Sequence, residues 1–111
     1  MRTRTTIAAM AWALLLAACG VAVPADKADY VGQWDAEGMS LLITRDGSIR
    51  YMRLRKGART SIDGPLKGFA GNDFEVGIGP MTTTFKVSAP PHRVGDEWRM
   101  TVDGVELVRG R

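Results

Sequence analysis

One thiol, Cys19, and one imidazole, His92, are the only soft nucleophile and the only neutral-pH base among 111 residues. A zinc-type centre needs three or four histidine, cysteine or carboxylate ligands brought together. With no histidine pair in the chain, no metal is expected. Ser40, Ser48, Ser61 and Ser88 lack the strand-turn-helix context that exposes a catalytic serine. A serine triad assembled in space around His92, in the Pro90-Pro91-His92-Arg93 stretch, is the one arrangement the spacing leaves open. Asp35 with Glu37 and Asp96 with Glu97 place carboxylates close in sequence. Neighbours on a strand point to opposite faces, and acids in turns cap backbone amides, so neither pair reads as a general acid and base. No catalytic residue and no cofactor is assigned, and the chain is read as non-enzymatic.

The chemistry that remains belongs to Cys19. Arg2 and Arg4 precede a run of twelve apolar residues, 7–18. That is the length of a signal-peptide apolar region and short of the roughly 20 residues that span a bilayer as a helix. The run ends Leu16-Ala17-Ala18-Cys19-Gly20. This resembles the lipobox of bacterial prolipoproteins, with Leu16 three residues before the cysteine and two small residues between them. The resemblance implies a diacylglycerol thioether on Cys19, cleavage after Ala18 and acylation of the new amino terminus. Each buried methylene of such chains contributes about 0.8 kcal/mol, so two chains already anchor stably. Gly20 stands where the enteric sorting rule places an aspartate to retain lipoproteins in the inner membrane. The expectation is therefore the outer membrane, with the rest of the chain in the periplasm.

Cleavage changes the charge argument. The full chain has net charge +3 and a pI near 9.4. Removing Arg2 and Arg4 leaves 13 basic against 12 acidic side chains. A nearly neutral exported protein carries no general polyanion-binding footprint, so nucleic acid is not an expected partner. The only cysteine is the anchoring one, so packing must stabilise the domain without a disulfide. The expected organisation is a leader over residues 1–18, a lipidated cysteine and tether over 19–28, and one domain over 29–111. Ten flexible residues reach roughly 18 Å.

The domain reads as all-β, a small antiparallel meander barrel of about eight strands. Short alternating runs recur between turn signals at near-regular spacing. Strand segments are expected near 30–36, 40–44, 48–54, 59–63, 66–70, 74–78, 82–88, 97–102 and 105–109. A two-residue Asp103-Gly104 turn pairs Val102 with Val105, Met100 with Leu107 and Trp98 with Arg109, gathering the large apolar residues on one face. Around Asp46, a three-residue Arg45-Asp46-Gly47 loop with Gly47 left-handed is needed to bring Leu41, Ile43, Ile49 and Tyr51 together. The expected interior is Trp34, Leu41, Ile43, Ile49, Tyr51, Phe74, Val76, Ile78, Phe85, Val87, Trp98, Met100, Val102, Val105 and Leu107. So many bulky residues on such short strands fill a small barrel and leave no ligand cavity.

Gly32-Gln33-Trp34 on the first strand resembles the Gly-x-Trp opening of lipocalins and related calycin barrels. Arg109, on the last strand, stands where those folds place an arginine over the tryptophan. The resemblance covers two short motifs on a chain about half a lipocalin's length. It implies a meander closed by first and last strands, with Trp34, Trp98 and Arg109 plugging one end.

The strongest charge signal lies between residues 45 and 59. Arg45, Arg50, Arg53, Arg55, Lys56 and Arg59 stand there against one acid, Asp46. Of these, Arg50, Arg53, Arg55, Lys56 and Arg59 form the candidate anionic contact. Arg50 shares an expected outer face with Met52 and Leu54, a mixture suited to anionic lipid or an acidic envelope protein. The same charges also discourage unwanted edge pairing. The stiff Pro90 to Asp96 stretch is a second candidate contact surface. Three functions follow in order: an envelope-anchored binding or adaptor module, a periplasmic inhibitor of a protease or lysozyme, and a carrier of a small apolar ligand.

Overall fold

Alternation of apolar and polar residues, punctuated by glycine-containing turns, folds residues 20–110, the part that this computed structural model describes, into nine strands. They are β1 (Gly32–Ala36), β2 (Met39–Ile43), β3 (Ser48–Arg55), β4 (Ala58–Ala70), β5 (Asp73–Ile78), β6 (Met81–Phe85), β7 (Val87–Val94), β8 (Glu97–Val102) and β9 (Val105–Arg109). A 3-10 helix, Ala25–Tyr30, precedes them, over residues the sequence assigned mostly to a tether, with Tyr30 expected to start the first strand. The order across the sheet is β6-β5-β4-β3-β2-β1-β9-β8-β7. A six-stranded and a three-stranded antiparallel meander thus join where β1 pairs with β9. The sheet curls into a half-barrel around one core. There are nine strands in place of about eight, and β6 and β7 are its two edges. The leader, the lipobox and Cys19 lie outside the described residues.

Turn chemistry sets the registers. Asp103 and Gly104 take φ of 48° and 80°, which matches the right-handed twist of the strands and pairs Val102 with Val105 and Met100 with Leu107. The ladder ends at Arg99 opposite Val108, so Trp98 and Arg109 are not a cross-strand pair. Gly47 takes φ of 90° in a three-residue loop, and Ile43 pairs with Ile49 and Leu41 with Tyr51.

The buried side chains are Tyr30, Trp34, Met39, Leu41, Ile43, Ile49, Tyr51, Leu66, Phe74, Val76, Phe85, Val87, Met100, Val102 and Leu107. Trp98 and Val105 are half-buried beside them. Ile78 is 72% exposed, contrary to expectation. It pairs with Met81 at a hairpin tip that Gly77, at φ 143°, swings away from the core. Inside, Phe85 stacks on Phe74 at 5.1 Å and meets Tyr51 at 5.0 Å, occupying the space a ligand would need.

Two long strands replace the shorter ones expected. β4 runs unbroken through Gly64-Pro65, pairing with β3 up to Pro65 and with β5 from Leu66. β7 runs through Pro90-Pro91, which the sequence suggested was a loop; the two prolines sit at an irregularity between Ala89 and His92 of this edge strand, where the ladder to β8 is interrupted and no amide is needed. Only Lys86 separates β6 from β7, and there the chain changes partner from β5 to β8. Aspartates bridge the change: the Lys86 amide donates to Asp103 Oδ1 at 2.9 Å and the Val87 amide to Asp73 Oδ1 at 2.8 Å.

The segment expected as a tether is docked. The Val21 amide donates to the Leu66 carbonyl and the Val23 amide to the Arg45 carbonyl, both at 3.0 Å. Gly47 makes room for this: a Cβ there would stand 2.1 Å from the Val21 carbonyl oxygen. Gly57, also left-handed at φ 80°, faces open space. Gly57→Ala should therefore cost only the conformational penalty, about 1 kcal/mol. Gly47→Ala should cost more and speed hydrogen exchange at Val21 and Val23. Equal losses in denaturant titrations would show that the N-terminal segment does not press on this loop.

Candidate functional site

The five candidate cations belong to the β3–β4 hairpin. Register distributes them over two faces. Arg53 and Arg55 follow Ile49 and Tyr51 on the concave face, while Arg50 shares the convex face with Met52, Leu54 and, across the ladder, Arg59. Lys56 occupies the turn. The single outer patch suggested by sequence is thus a charged collar around the hairpin tip. Tyr51 is the last buried residue of β3; beyond it Arg53 is half-buried, and Leu54, Arg55, Lys56, Ala58, Arg59, Thr60 and Ser61 are exposed.

Arg50 is partly compensated: its Nε lies 3.5 Å from Asp63 Oδ2, with both side chains largely in solvent, where a pair contributes little. Among the described residues, Arg53, Arg55, Lys56 and Arg59 form no ion pair. Lys56 holds φ of 49°, a conformation that costs an ordinary side chain roughly 1–2 kcal/mol and that asparagine or glycine would adopt more easily. A lysine at that position adds charge to the tip at a cost in local stability. Close to the tip, the Leu54 amide donates to the Gly38 carbonyl, which ties this end of the hairpin to the β1–β2 turn.

The opposite end of the sheet carries the N-terminal segment. Residue 20 abuts the β2–β3 loop so closely that a Cβ would stand 2.2 Å from the Gly47 carbonyl oxygen. The eight residues of β3 separate that loop from the tip, roughly 25 Å at strand rise. Chain entry and basic tip are therefore at opposite ends.

The structure also brings Trp34, Trp98 and Arg109 together. The Arg109 guanidinium lies 5.5 Å from the Trp34 ring centre and 4.7 Å from that of Trp98. It donates to the Asp29 carbonyl at 3.0 Å, pinning the 3-10 helix over this end. Gly32 leaves space for the arginine stem, since a Cβ there would stand 2.7 Å from Arg109 Cδ. Trp34 Nε1 donates to the Tyr30 carbonyl and the Tyr30 hydroxyl to the Asn72 carbonyl. Burial, and then the Asp73 carboxylate, push the Tyr30 phenol above its ordinary value, so it remains a donor. These contacts join β1, β8, β9 and the 3-10 helix at this end of the sheet.

The other chemistry-bearing residues stay apart. His92 is exposed, its Nδ1 2.9 Å from the Pro90 carbonyl oxygen. Among the described residues no group of three or more histidine, cysteine or acidic side chains is placed to hold a metal ion. Sequence reasoning missed one feature: a cleft of 520 Å³ beside β4, lined by Ile62, Pro65, Val76, Ile78 and Met81 among others. Its only local signal was Gly64-Pro65. No family model, curated protein or solved structure matches the chain.

Arg109→Met keeps the stem and removes the guanidinium. It should destabilise by about 2 kcal/mol, from two lost ring contacts and a charged hydrogen bond. Arg93→Met, whose guanidinium lies 5.9 Å from Trp98 at the surface, should change stability by under about 0.5 kcal/mol. Equal thermal melts for the two variants would remove the plug from the account.

Proposed function

We propose that this chain is a non-enzymatic adaptor of the bacterial cell envelope, held in the outer membrane by lipid on Cys19, with its β-domain presenting the β3–β4 hairpin to a partner in the periplasm. The observation that carries this reading is the opposition of the two ends. Residue 20, next to the proposed lipid attachment, packs at the base of β3, and the uncompensated cations surround the tip roughly 25 Å away. An anchored domain in that orientation holds Arg53, Arg55, Lys56 and Arg59 beyond the headgroups of its own membrane. A Debye length at physiological salt is about 8 Å, so those charges act on whatever approaches from the periplasm. The preferred partner is accordingly an envelope protein with an acidic surface.

The filled interior weighs against the apolar-ligand carrier. One observation supports the inhibitor as a second reading. Leu54, 51% exposed among the tip cations, would give the hairpin an apolar anchor for the cleft of a hydrolase. The identity of the captured partner separates adaptor from inhibitor.

A photo-crosslinking residue at position 56, introduced in cells, should capture one dominant envelope protein. The same residue at position 46 should capture lipid or nothing. Cys19→Ser should release the chain from the membrane fraction, and changing Arg53, Arg55 and Arg59 together to Ser should abolish the position-56 adduct with melting nearly unchanged. Retention of the Cys19→Ser chain in the membrane contradicts the anchor. An undiminished adduct after loss of the three arginines contradicts the basic tip.

A further inference from the structure

The exposed part of β4 is an open sheet edge, and it carries the inference. β4 pairs with β3 from Ala58 to Pro65, but its pairing with β5 begins only at Leu66. Beyond Val76, Gly77 and Ile78 of β5 pair with β6 alone and not with β4. Residues 58–64 therefore have β3 on one side and no strand on the other, and the 520 Å³ cleft borders that open side at Ile62, Asp63 and Gly64.

The alternation of the ladder says which groups face that open side. Arg55 and Ala58 flank the two-residue Lys56-Gly57 turn and so form a hydrogen-bonded pair. Amides and carbonyls of Ala58, Thr60, Ile62 and Gly64 then turn toward β3, and those of Arg59, Ser61 and Asp63 toward the open side, where Asp63 borders the cleft. The Leu54 amide, bonded to Gly38 on the β2 side, fits the same parity. So does Pro65, whose missing N–H falls on the open side and costs β4 nothing. Side chains on the concave face of the cleft are Ile62, Val76, Ile78 and Met81, the last two 72% and 79% exposed, with Thr83 the one polar member.

Native sheets shield free edges, commonly with charge. Here the charge is selective. Residues 48–65 hold five cations, Arg50, Arg53, Arg55, Lys56 and Arg59, against one acid, Asp63. A second copy would bring one basic hairpin against another, and like charges disfavour it. An acidic strand meets the opposite field.

We propose that the open edge of β4 takes up an extended acidic segment of a partner protein as an added strand. Main-chain hydrogen bonds to Arg59, Ser61 and Asp63 supply the docking. Alternate side chains of the segment enter the Ile62–Ile78–Met81 cleft, and its acidic ones lie toward Arg59 and the tip. This deepens the adaptor reading and rests on it for the partner's nature. The edge itself is tested without reference to the membrane.

The probe is a blocked octapeptide of alternating valine and glutamate, added to the full chain as purified from cells, with its valine–lysine counterpart and a form N-methylated at alternate residues. Hydrogen exchange read by mass spectrometry should slow over residues 58–64 and not over β6. Binding should weaken at least tenfold for the lysine peptide, for the N-methylated peptide and in high salt. Ser61→Pro, at a position whose amide faces away from β3, should keep the hairpin and lose at least tenfold, while Ser61→Ala keeps affinity. If Ser61→Pro fails to fold, the N-methylated peptide makes the same test on the unaltered chain.

Equal binding of glutamate and lysine peptides would overturn the proposal. So would unchanged exchange over 58–64, or protection there that grows with protein concentration alone, which would make a second copy the occupant. Protection by vesicles containing anionic phosphatidylglycerol but not by the peptide would overturn it in favour of lipid. Release or retention of Cys19→Ser in the membrane moves none of these readouts, so failure of the anchor and failure of the edge remain distinguishable.

Discussion

β4 is longer than either of its partners. Its 13 residues pair first with the eight of β3 and then with the first part of six-residue β5. A strand that serves two neighbours in succession cannot be covered on both sides along its length. The sheet therefore curls about a core on one part of β4 and sends the other part out as half of a hairpin. Leu66, fully buried, lies at the changeover, next to Pro65 and opposite Val76. The same device recurs at Lys86, where the chain passes from β5 to β8 and aspartate side chains supply acceptors that no strand provides. With so little chain, partner exchange lets one small core support nine strands.

Local physics was legible in the sequence. The Asp103-Gly104 turn, the three-residue loop ending at Gly47 and the faces of β2, β3, β8 and β9 follow from turn geometry and a period of two. Both are decided within a dozen residues. What was not legible depended on neighbours distant in sequence. Gly64-Pro65 and Pro90-Pro91 read as breaks because proline normally ends a paired strand; Pro65 lies where the missing amide faces an open side, Pro90-Pro91 at an irregularity of an edge strand, and both are properties of the assembled sheet. Ile78 fitted the inward alternation of β5, but Gly77 takes it off the core. Val21 and Val23 looked like linker because their partners, Leu66 and Arg45, lie more than twenty residues away.

The candidate site divides the same way. Five cations in ten residues were plain in the sequence; their distribution around a projecting tip required the register of β3 against β4. The Arg109 contacts bind β9 to β1, β8 and the 3-10 helix, and the docked segment packs beside the β2–β3 loop. Stabilising contacts thus gather at the end where the chain enters, while charge without compensation gathers at the other. The adaptor reading depends on this polarity, since a lipid at residue 19 would make the entry end the membrane-facing end.

The proposed orientation can be measured by reconstituting the chain, isolated with the lipid proposed for Cys19, into vesicles bearing a quencher on the lipid headgroups. With Cys19 modified, Asp46→Cys and Lys56→Cys each supply one free thiol for a fluorescent label. The account predicts strong quenching at position 46 and little at position 56, because roughly 25 Å of β3 separates the two. Equal quenching at both positions, or stronger quenching at 56, would mean that the hairpin lies on the membrane and would contradict the account.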